Sequence, residues 1–277
     1  MSSYFKVPSI QQPQHPFAKL LVLVASAAIF VLLNLCLGFL CRELMLDVFV
    51  PEEIDGVMLP GGDVMEMWLL GIRFDLLMGA WFAMPLIVYA GLSFMVGELW
   101  QWGNRGMTLL VGLLFFIIIT LMMVNFHYMM TTGQTINWAA IDTFMANPDW
   151  GYIWDNYSVL YSGFFAILFT ALMAGLWKRF AYMLGNWDCW HSFTVWHMAG
   201  IPFLLAYLFL MFAQNGMASD RLTADEARVS TVESINQIVM SAPSILYYDE
   251  SRQKKTFDSI DQQALDDSSR ALFLHKL

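Results

Sequence analysis

The chain has 277 residues, of which 58% are hydrophobic and 13% charged, with a mean hydropathy of +0.55. Soluble domains carry about 25% charged residues, so the composition excludes an ordinary soluble protein and indicates an integral membrane protein. A net charge of -9 leaves no basic footprint for nucleic acid.

Residues 1–19 are polar and precede a first uncharged run, 20–41, ended by Arg42-Glu43. A run of about 22 residues, or roughly 33 Å of helix, crosses a bilayer core of about 30 Å. It is too long for a cleaved signal peptide, and Asn34 within it is expected to face another helix. Residues 42–70 read as a solvated loop, its acids spaced for no calcium-binding pattern. A short interfacial helix over 63–70 leads into a second crossing, 74–97, which holds Pro85. The third crossing, 107–130, carries Asn125, His127 and Tyr128 near its far end. Residues 137–147 read as a short amphipathic helix halted by Pro148. A fourth crossing, 156–177, stops at Lys178-Arg179, and a fifth covers 197–218. The expected fold is thus an all-α integral membrane protein: five transmembrane helices, short interfacial helices and an extracytoplasmic helical tail, 220–277. In that tail Thr223 to Glu226 reads as a capping box. Val229, Val232, Ile235 and Val239 extend it as one amphipathic helix, ended by Pro243.

The chain is organised around Gly71–Val88, where Arg73 and Asp75 stand at the mouth of the second apolar run. Charges there are costly unless they reach water or a partner. Two residues apart on a helix, they cannot simply pair with each other. Cys36, Cys41 and Cys189 have neither metal-ligand spacing nor the look of a disulfide framework. The 20 Met, 22 Phe and 11 Trp suit lipid-facing packing better than a cofactor pocket. No Ser, Thr or Cys lies beside a base as nucleophilic catalysis requires. Lys6, Lys19, Arg105, Lys178 and Arg179 fall on one side of the membrane, which places the N-terminus in the cytoplasm and the tail outside.

Several stretches together resemble the lipoteichoic acid synthase family, membrane-anchored phosphoglycerol transferases with an alkaline-phosphatase-like outer domain. They are Gly71-Ile-Arg-Phe-Asp-Leu before an apolar run with Pro85, Asn215-Gly-Met-Ala-Ser-Asp-Arg221-Leu222, Ser234-Ile-Asn236-Gln-Ile, and Pro243-Ser-Ile-Leu246. The resemblance implies five spans and a bacterial inner-membrane location. It also implies a threonine nucleophile with a divalent manganese, magnesium or zinc ion in a catalytic domain that this sequence stops short of. No catalytic residue and no metal ligand is therefore carried over. The candidate lipid-headgroup or inter-domain residues are Arg73, Asp75, His127, Asn137, Arg221 and Asn236. Expected partners are a membrane phospholipid and an alkaline-phosphatase-like domain in cis or in trans, with no nucleic acid. A non-enzymatic membrane partner that recruits another enzyme through its tail is the alternative; a small transporter is weaker, since repeats and midplane polar sites are lacking.

Overall fold

Among the described residues, four long helices carry the architecture: α1 (Pro16–Phe49), α2 (Gly61–Met95), α3 (Trp100–Thr132) and α6 (Val159–Gly185). Each is long and apolar enough to cross a membrane, as in a multi-pass membrane protein. The computed structural model describes residues 16–50, 53–54, 57–58, 61–95, 100–185 and 222–249, with isolated helical positions between 200 and 211. The expected fifth crossing, 197–218, and the tail beyond 249 lie outside the described residues or nearly so.

These helices lack a single apolar stripe because both of their environments, protein and lipid, are apolar. Where they meet, small side chains let backbones approach. Ala27, Ala80 and Ala83 are fully buried there beside Phe30, whose ring centroid lies 4.7 Å from that of Phe115. α1 packs chiefly on α2, and α3 on α6, with α6 also touching α1. Trp177 is the largest fully buried side chain, and its indole donates to the Ser26 carbonyl at 2.8 Å. Asn34 does face a neighbouring helix, donating to the Asp75 carbonyl at 3.4 Å.

Three charge-marked boundaries move. α1 passes through Arg42-Glu43 and continues to Phe49. α2 starts at Gly61, so the interfacial helix expected at 63–70 is its own first turns. α6 runs past Lys178-Arg179 to Gly185. In all three the helix continues because a charge beside water, or one with a protein partner, need not interrupt the backbone ladder. Between α1 and α2, β1 (Glu53–Ile54) pairs antiparallel with β2 (Val57–Met58), Glu53 opposite Met58.

α3 ends at Gly133, whose φ of +70° supplies the left-handed turn that closes a helix, its N–H reaching the Met129 carbonyl. The expected amphipathic helix is α4 (Trp138–Ala146), capped by Asn137 and Asn147. A second short helix, α5 (Trp150–Asn156), follows, capped by Asp149.

The tail is not one amphipathic helix. It makes a 3-10 turn at Ala224–Ala227, then α7 (Glu233–Val239), then α8 over 242–249. Thr223 makes no side-chain cap bond, so the capping box does not form. Asn236 diverts the chain instead: its Oδ1 accepts from the Val229 and Ser230 amides at 2.9 Å each, and its Nδ2 donates to the Ser230 carbonyl. Such bonds offer the backbone an alternative to the helix ladder. Pro243 lies in the first turn of α8, where its missing N–H costs nothing, so it opens a helix rather than ending one. Leu222, Ile235, Ile238 and Tyr248 then form a second core with Met45, Met67, Phe74 and Met129 from one end of α1, α2 and α3. The tail is a built-in cap on that end of the bundle.

Candidate functional site

Two glycines, one on each of the first two long helices, make room for two charges. A Cβ at Gly38 would collide with the Asp75 carboxylate, and one at Gly71 with the Arg42 guanidinium. In the space they leave, Arg42 Nη2 donates to Asp75 Oδ2 at 2.6 Å and to the Gly71 carbonyl at 2.9 Å. Arg42 Nε donates to the Val239 carbonyl at 3.0 Å. Both charged residues are at most 2% exposed. A buried ion pair needs such extra hydrogen bonds, and Arg42 Nη1 and Asp75 Oδ1 still have no partner among the described residues.

The pair is matched to a break in the tail. Val239 is the last residue of α7, so Arg42 places a cation on a helix C-terminus. Ser241, just ahead of α8, accepts from the Ile245 amide through its carbonyl and lies 3.2 Å from the Ser244 hydroxyl through its own. A cavity of about 10 Å³ adjoins the guanidinium, lined in part by Gly38, Cys41, Asn125 and Ser241. Irregular backbone at this depth is stable only where protein surrounds it; here Ala242 and Ser244 are buried with it.

The other candidate residues divide. Arg73 sits at the rim with a quarter of its side chain exposed, and its Nη1 lies 3.5 Å from Glu226 of the 3-10 turn. Its buried Nε has no hydrogen-bond partner among the described residues. His127 Nε2 lies 2.6 Å from the Ser162 hydroxyl, so the fold makes across α3 and α6 a serine–base pair that no neighbouring residues suggest. Among the described residues no carboxylate bonds the other ring nitrogen, and the pair works as interhelical glue. Asn137 caps α4 through the Ala140 amide at 2.8 Å, and Asn236 holds the tail turn described above. Arg221 lies outside the described residues. Asp75 and Arg73 are brought to the same end of α2 with different partners, as their spacing requires.

Arg42, which by its place after the first apolar run marks a helix end, is instead the centre of the site. The signal available for it was a lone cation following one apolar run and a lone anion opening the next, each with a glycine four residues away on its own helix (Gly38 and Gly71). Among the described residues no group of three or more His, Cys, Asp or Glu could hold a metal ion. Compared with known proteins, the chain matches no family model, no curated protein and no solved structure.

Proposed function

We propose that the chain is a membrane anchor and lipid-presenting module, resembling the transmembrane half of a phosphoglycerol or phosphoethanolamine transferase of a bacterial inner membrane. In this reading its N-terminus is cytoplasmic and its capped end is extracytoplasmic. The observation that carries the reading is Arg73: a cation at the rim of the capped end, whose Nε–H has no partner among the described residues and whose contact to Glu226 is long and partly exposed. A guanidinium in that setting binds phosphate through charge-assisted hydrogen bonds, a lipid oxygen taking the position of the Glu226 carboxylate. The cap would hold this site at a fixed distance from an alkaline-phosphatase-like domain acting in cis or in trans, which would supply nucleophile and metal.

The test is lipid retention by the purified chain in nanodiscs, with phosphatidylglycerol competing against phosphatidylcholine. Arg73→Ala should lose the preference for the anionic lipid, and Glu226→Gln should strengthen it. Unchanged retention in Arg73→Ala removes the lipid role. The existing Arg73–Glu226 contact favours a second reading, a non-enzymatic membrane partner in which Arg73 only fastens the cap. Co-purification with a membrane enzyme that survives Arg73→Ala would support that reading.

A further inference from the structure

The geometry points to α4 and α5 as an in-plane elbow seated in the interface of zwitterionic lipid, anchoring the bundle beside the capped end. The inference stands apart from the role of Arg73. α4 has no buried residue, although seven of its nine residues are apolar or aromatic. Met145, Trp150 and Trp154 are 71%, 68% and 60% exposed. Trp150 and Trp154 are four residues apart and share a face, and the Phe144 ring meets Trp150 edge-on at 5.3 Å, which joins the two helices.

Continuity names the occupant. The elbow connects the last turn of α3 to the first turn of α6, two helices that span the membrane, so it lies at the membrane boundary. Met130 in the last turn of α3, and Leu160 and Phe164 in the first turns of α6, are exposed apolar side chains on the two helices that the elbow joins. Tryptophan favours this depth, with ring in the acyl boundary and N–H in the headgroups. The elbow cannot sink further, because the Trp138 indole is fixed to the Leu246 carbonyl at 2.8 Å and the Trp138 amide to Asp249 at 2.7 Å. Charge selects the lipid. Residues 131–177 contain Asp142, Asp149 and Asp155 and no Lys or Arg, so an anionic surface would repel the elbow while a zwitterionic one accepts it.

The experiment is spin-label depth measurement on the full chain in lipid nanodiscs, with Cys36, Cys41 and Cys189 replaced by serine. Single cysteines are placed at 145, 150 and 154 on the apolar face, and at 143 and 155 away from it. Collision with oxygen should exceed collision with a water-soluble nickel chelate at the first three sites and fall below it at the other two. Adding phosphatidylglycerol should leave the labels no deeper than in pure phosphatidylcholine. Equal water access at all five sites overturns the proposal. So does dipolar broadening between labels, which would place a second copy on the face, and so does deepening with anionic lipid. As a check free of cysteine substitution, bromolipid quenching of intrinsic fluorescence should be weaker in Trp150→Tyr/Trp154→Tyr than in the parent chain. Equal quenching counts against the elbow.

Discussion

Asp75 shows how far a single residue can be read. Its position in an apolar run demands a partner, and the fold supplies Arg42 from the preceding helix. Removing one member strands the other charge in a dry site, at about 3–5 kcal/mol. Asp75→Ala should therefore unfold the chain in detergent at clearly lower temperature, while Arg42→Met/Asp75→Ala should cost less than the sum of the two single changes. A double-mutant cycle on thermal stability measures this, and strict additivity would show that the two residues are not coupled. Gly38→Ala tests the space rather than the charge. Its methyl meets the Asp75 carboxylate, and overpacking of this kind costs about 1–3 kcal/mol. A stable Gly38→Ala variant would mean that the carboxylate can move aside.

Among elements, the tail depends on one amide side chain. Asn236 satisfies three backbone groups of the preceding turn, and Ser230 of that turn donates to Asp63 at the start of α2 at 2.5 Å. At about 1 kcal/mol per net hydrogen bond, Asn236→Ala should weaken the cap by about 2–3 kcal/mol. The change should appear as faster proteolysis between 228 and 232, with the long helices still protected. Uniform proteolysis across the chain would instead make the tail inseparable from the bundle. Composition revealed the long helices because 18 or more consecutive apolar residues have few other uses. Their ends were not legible, because Arg42 and Lys178 carry the same charge whether a helix stops or continues there. The tail shows the same limit of a local rule: Thr223 to Glu226 satisfies the capping-box pattern in type and spacing, but the Asn236 bonds hold the chain in another path.

For the whole molecule, the bundle joins two cores, one among the four long helices and one beneath the cap. The end of α3 and the tail turn belong to the same end. Cysteines introduced at Gln134 and Asp225, both exposed, should react with an impermeant reagent from the same side of the membrane. Reaction from opposite sides would be incompatible with this fold. Of the candidate site, the demand for partners at Arg73 and Asp75 was visible in the sequence, while the identity of those partners was not. Glu226 stands 153 positions from Arg73, and the Val239 carbonyl 197 positions from Arg42.

The sequence by itself determined that this is a helical membrane protein, where four of its long helices run, and that a cation and an anion at the mouth of the second one need company. Those properties follow from hydrophobicity and chain length, which act locally and add up residue by residue. Only the tertiary structure decided that Arg42 is buried, that the tail folds back as a cap, and which backbone groups the Asn137 and Asn236 side chains bond. Each of those outcomes depends on which distant group fills the space beside a glycine or an unpaired amide. That is a property of packing between helices and is written in no single stretch of the chain.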